Sequence, residues 1–107
     1  MFYLVKDDVG TQIKATITRE DDGSAVDLST ATVKMYFRAK DTTTILSTLT
    51  SASNSSQLSQ GVAIFEFGDG DLNVASGKYE GEIEATFDSG SIETVYEILE
   101  FYVRADF

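Results

Sequence analysis

Carboxylates are the side chains in this sequence best able to do chemistry. They cluster as Asp7-Asp8, Asp21-Asp22, Asp69-Gly70-Asp71 and the alternating Glu80, Glu82 and Glu84. Glycoside hydrolysis needs two carboxyls facing each other across a cleft, one of them desolvated. Glutamates at every second position of a strand share its outer face, so the stripe reads as charged surface. The spacing Asp69-x-Asp71-x-Asn73, with Glu80 eleven residues after Asp69, supplies positions 1, 3, 5 and 12 of a calcium loop. Val74 occupies the sixth position, where such a loop needs Gly for its sharp turn, and strands flank the segment where helices are required. Asp69, Asp71, Asn73 and Glu80 therefore form an incomplete calcium candidate, and turn chemistry is the preferred reading.

Nucleophilic catalysis finds no base. The chain has no His for a Ser-His-Asp or Cys-His arrangement, and no Cys. Ser-Lys chemistry would have to use Lys6, Lys14, Lys34, Lys40 or Lys78, each of which falls in a turn or at an outward strand position. No transition-metal set can be assembled without His or Cys. The expectation is a protein that is not an enzyme, with no cofactor and no small-molecule substrate.

The elements that hold these groups are strands. Ile13, Ala15 and Ile17 alternate with Lys14, Thr16 and Thr18; Val33, Met35 and Phe37 alternate with Lys34, Tyr36 and Arg38. Period 2 with one apolar face marks a strand lying on a core. Gly61 to Phe67 places Ala63, Phe65 and Phe67 inward; Lys78 to Phe87 does the same with Tyr79, Gly81, Ile83, Ala85 and Phe87. Ile45 to Thr50 reads as a short edge strand, and the apolar Phe2-Tyr3-Leu4-Val5, set before a charged turn, as a strand. In the last stretch, Leu99, Phe101 and Val103 are on the opposite parity from Ile92, Tyr96 and Ile98, which predicts a bulge or bend near Glu97. Asp-Gly and Asp-Ser-Gly turns separate the strands, Leu28 is expected to tuck in beneath the first, and the polar run Ser51 to Gln60 reads as a mobile surface loop. Six or seven short strands without a helical period predict an all-β, antiparallel β-sandwich in one domain over residues 1–107.

Within that frame Gly68 to Gly77 forms a corner. Asp71 is suited to N-cap a single helical turn, Gly77 to end it in a left-handed conformation, and Tyr79 to bend back and bond its hydroxyl to the corner's backbone. Outward aromatic and aliphatic side chains are the pointers to partners, since Tyr and Phe are enriched at interface centres. The candidates are Phe2, Tyr3, Tyr36, Tyr96, Ile98, Tyr102 and Phe107.

The charge balance narrows the partners. The chain of 107 residues carries a net charge of −10. Residues 1–54 hold seven acids and six bases; residues 55–107 hold eleven and two. Such a field repels nucleic acid and anionic membrane surfaces, so neither is expected as a partner. It favours solubility first, and a basic docking partner second. The apolar opening tetrad is far too short to span a bilayer or to form a secretory signal.

Read together, the polar first strand, Asp21-Asp22-Gly23-Ser24-Ala25-Val26-Asp27-Leu28-Ser29-Thr30-Ala31-Thr32-Val33, the strand Gly61 to Phe67, the acidic corner, Gly77-Lys78-Tyr79-Glu80-Gly81-Glu82-Ile83-Glu84-Ala85-Thr86-Phe87, the turn Asp88-Ser89-Gly90 and the closing Phe101-Tyr102-Val103 resemble a known family. It is the immunoglobulin-like domain at the N-terminus of phage baseplate upper proteins and in related small tail proteins. The resemblance implies an immunoglobulin-like sandwich of about seven strands. It also implies a non-enzymatic structural or assembly role in a bacteriophage virion, with other virion proteins and copies of itself as partners. Family members often carry a Pro-containing kink where this chain has Val95-Tyr96-Glu97-Ile98, and a baseplate scaffold needs an extension beyond Phe107. A virion structural module is thus implied ahead of the baseplate in particular. The alternatives are a capsid or neck decoration protein, or a host-surface or carbohydrate-binding module, although the last normally uses Trp and this chain has none.

Overall fold

The computed structural model describes residues 1–19, 21–95 and 98–105. Their elements in chain order are β1 (Phe2–Val5), β2 (Gln12–Thr16), β3 (Ala31–Ala39), β4 (Ile45–Thr50), α1 (Ser55–Ser59), β5 (Val62–Glu66), β6 (Gly77–Phe87), β7 (Ile92–Thr94) and β8 (Leu99–Arg104). The larger sheet runs β1-β8-β6-β3-β4, with β7 also paired to β6; the smaller sheet is β2-β5 alone. Two packed sheets make a sandwich. β8-β6-β3 corresponds to the three-stranded sheet of the immunoglobulin-like fold, and β2-β5 to the central pair of the opposing one. The expected all-β sandwich is the observed fold. One pair departs from antiparallel: β1 lies parallel to β8, with Tyr3 opposite Tyr102 and Val5 opposite Arg104.

The alternating residues meet between the sheets. Phe37, Phe65, Phe67 and Phe101 are fully buried, joined by Met35, Ile83, Val33, Val103, Leu28 and Leu72. Each such side chain taken from water contributes on the order of 1.5–3 kcal/mol. Phe37 is the hub. Its ring meets Phe67 edge-on at 5.2 Å and Phe101 edge-on at 5.5 Å, and stacks on Tyr79 at 5.1 Å. Gly81 makes this possible from the middle of β6, because a Cβ there would lie 2.7 Å from the sulfur of Met35 and 2.9 Å from the Phe101 ring. Gly61, ahead of β5, has φ +77° and sits directly against the Ile17 carbonyl, so both conformation and space require glycine.

Two sequence expectations change here. The polar stretch Ser51 to Gln60 is not a featureless loop but contains α1, whose Asn54 accepts from the Gln57 N–H while the Gln57 side chain accepts from the Asn54 N–H. This reciprocal capping box, with Leu58 half-buried against the core, orders a turn too short to show a helical period. The change of phase in the last stretch is also absent from the described residues. The register with β6 shifts by two residues between β7 (Thr94 opposite Glu84) and β8 (Leu99 opposite Gly81), which conserves parity. Ile92 and Ile98 are therefore both exposed. The bulge expected at Glu97 lies outside the described residues.

Candidate interaction surface

The corner between β5 and β6 is built from backbone and one carboxylate. Asp71 does not cap a helix: no helical turn forms between Gly68 and Gly77, all of them described residues, and its Oδ2 accepts the Gly68 N–H at 2.7 Å. The Asp71 and Asn73 N–H groups donate to the carbonyls of Gly68 and Gly70, giving successive tight turns over the buried Leu72. Gly77 likewise ends no helix. It opens β6 with φ +149°. The same residue types that cap helices also stabilise turns, and turns are what this corner uses. Tyr79 then places its buried ring on Phe37 and donates its hydroxyl to the Ala75 carbonyl at 2.5 Å. Burial raises the Tyr79 phenol above its ordinary value of 10.0.

The calcium candidates do not converge. Asp71 is engaged with Gly68, and Glu80 points from the outer face of β6 towards Arg38, with Oε1 also accepting the Asp41 N–H. Among the described residues no three acidic side chains are grouped to hold a metal ion.

Glu80, Glu82 and Glu84 share the outer face of β6 as their alternation requires, but they are half-buried where a wet stripe was expected. The cause is β3, which pairs along the whole of β6 and sets Arg38 opposite Glu80, Tyr36 opposite Glu82 and Lys34 opposite Glu84. Arg38 stands 3.7 Å from both Glu80 and Glu82, and Tyr36 donates its hydroxyl to Glu84 at 3.0 Å. That hydrogen bond, then burial, then the negative charge of Glu84 and Glu82 raise the Tyr36 phenol above 10.0. In the turns, bonds from the Ser24 hydroxyl and N–H hold Asp22 below its ordinary value, and Ser29 does the same for Asp27. These carboxylates are structural acceptors. None of those just described faces another across a cleft.

The interface candidates divide. Phe2 is drawn inward and is not an outward aromatic: half-buried, it stacks on Phe101 at 5.4 Å. Leu4, on the same parity, is buried beside it. Tyr36 is outward but spent on Glu84. Tyr3 is 77% exposed and Tyr102 37% exposed, and the β1–β8 register puts them side by side, with Lys78 next to Tyr102 on β6. Ile98, immediately before β8, is exposed. Tyr96 and Phe107 lie outside the described residues. Sequence reasoning passed over Ile45 and Leu46, both exposed on the edge strand β4, where adjacent apolar residues give no alternation to show which side chains face out.

No family model matches this chain, and no curated protein matches it. Among solved structures it is similar to the soluble domain of PmoD from Methylocystis sp. ATCC 49242, with 15% identity, a TM-score of 0.48, and coverage of 95% of this chain and 77% of that one.

Proposed function

We propose that this chain is a non-enzymatic structural and assembly component of a bacteriophage virion, in its tail or baseplate region, acting through the edges and outer face of an immunoglobulin-like sandwich. The observation that carries the reading is the β1 edge of the larger sheet. β1 is an edge strand without charge or Pro, and its Tyr3 stands exposed next to Tyr102 of β8. Edge strands left unblunted in this way are templates for pairing with another chain, and Tyr-rich patches are enriched at interface centres. In a particle built by symmetry, such an edge joins each copy to a neighbour that presents a complementary edge. The family resemblance of the turn-and-strand order adds to this reading.

Antibodies raised against the purified chain provide the test. Negative-stain microscopy of particles from the strain encoding it is expected to show them bound at symmetric positions on the tail or baseplate. Particles left undecorated, both intact and after mild disruption, would overturn the proposal.

A further inference from the structure

Sheet edges in this sandwich are treated unequally. The outer edge of β5 is covered: the Ile64 N–H donates to the Ser51 and Ser53 hydroxyls, and the Ile64 carbonyl accepts the Ala52 N–H. The outer edge of β2 is bare. Ile17 donates to Gly61, and Phe67 donates to Thr11, so the odd residues of this stretch turn their backbone groups towards β5. The even residues Gln12, Lys14, Thr16 and Thr18 therefore turn theirs the other way. Among the described residues nothing bonds to those groups. The bare edge spans about 20 Å.

Beside it, among the described residues, the sandwich is open. A groove of about 840 Å³ runs between β2 and the β7–β8 side of the larger sheet. Ala15 and Ile17 line it from the β2 side, Phe87 from β6, and Val95 and Leu99 from the β7–β8 side, all half-buried against the core. An unpaired backbone ladder and an adjoining apolar groove together fit one kind of occupant: an extended strand that bonds to β2 and puts alternate side chains into the groove.

Charge selects its chemistry. Asp27 and Glu93 stand on the groove's rim, and Asp88 adjoins Glu93 in the next depression. Arg19 also lines the groove and is beside Asp21 at 3.9 Å, while the exposed Lys14 of β2 is not among the groove's lining residues. The chain's net charge of −10 adds a long-range attraction for cations. A second copy is disfavoured, because pairing β2 with its counterpart centred on the strand sets Lys14 against Lys14. We propose that the bare β2 edge and its groove accept an extended segment of another protein, apolar at alternate positions and carrying Lys or Arg, as an added strand of the smaller sheet. This goes beyond the virion proposal and stands independently of where the chain resides.

The test uses the whole chain and two capped heptapeptides, Lys-Thr-Val-Thr-Val-Thr-Lys, whose Lys share the groove face with Val, and its counterpart with Glu at both ends. Titration calorimetry at 50 mM salt is expected to give 1:1 binding of the basic peptide at least tenfold tighter than the acidic one. Amide exchange of Lys14, Thr16 and Thr18, fast in the free protein, is expected to slow on binding. Thr16→Pro removes an N–H that faces away from β5, a position where a strand tolerates Pro, and is expected to weaken binding at least tenfold. Glu93→Lys, an exposed substitution that leaves the core intact, is expected to reduce the preference for the basic peptide. The inference is overturned if neither peptide binds at 1 mM, or if the acidic peptide binds equally well. It is also overturned if protection maps away from β2, or if light scattering shows a dimer whose β2 amides are already protected.

Discussion

Replacing Tyr79 with Phe isolates one hydroxyl. The ring remains stacked on Phe37 and its volume is unchanged, so the variant removes only the bond to the Ala75 carbonyl. Ala75 is exposed, so water can replace the lost donor at the carbonyl, and the cost is that of one ordinary buried hydrogen bond, about 1 kcal/mol. For a domain of this size that lowers the melting temperature by roughly 4–8 °C, and the urea midpoint by about 0.5–1 M. The pH dependence provides a second signature. Burial raises the Tyr79 phenol above its unfolded value of 10.0, so the folded state holds the proton more tightly. The stabilisation is complete below pH 10 and is lost as pH rises through the folded value. The gap between the parent and Tyr79→Phe should therefore close above pH 10. Urea denaturation followed by circular dichroism at pH 7 and above pH 10 measures both. An unchanged midpoint at pH 7, or a gap that does not narrow at alkaline pH, would refute the role given to this hydroxyl.

Gly81→Ala is expected to destabilise by about 1–3 kcal/mol, since its methyl must displace the Met35 sulfur or the Phe101 ring; a melting temperature within a degree of the parent's would contradict that packing. Arg38→Ala leaves Glu80 and Glu82 half-buried without their shared cation and is expected to cost about 1 kcal/mol, shrinking in high salt; a salt-independent loss would assign the effect to packing alone. Calcium is expected to leave the melting temperature where magnesium or EDTA leaves it, because Asp71 and Glu80 are engaged elsewhere. A rise specific to calcium would reinstate the Asp69 to Glu80 site.

Alternation alone makes the strand interiors legible: Val33, Met35 and Phe37, then Ala63, Phe65 and Phe67, are buried as their spacing requires. Tyr79 is legible from its place after the corner. Partners across the sheet are not, because periodicity gives a side chain's face and says nothing of which strand lies beside it. Arg38 meets Glu80 and Glu82 only through the pairing of β3 with β6, far apart in the chain, and that pairing turns an expected wet stripe into a half-buried ladder. Phe2 is misplaced by sequence for the same reason: parity leaves its direction open until β1 docks on β8 and brings it to Phe101. Asp71 and Gly77 carry real signals, but Asp and Gly serve turns and helix ends alike. The Asn54 and Gln57 spacing of the capping box is present in a stretch whose polarity conceals it. The open outer edge of β2 cannot be read from sequence, since it depends on which strand lies beside it, and among the described residues none does.

The central claim, a repeated structural part of a phage particle, is tested most directly by copy number. Quantitative mass spectrometry of density-banded particles from the encoding strain, scaled to the major capsid protein, is predicted to find this chain at a fixed multiple matching tail or baseplate symmetry, unchanged between preparations. Recovery of the chain only from the soluble fraction of the lysate, or at trace levels that vary from one preparation to the next, would contradict the account.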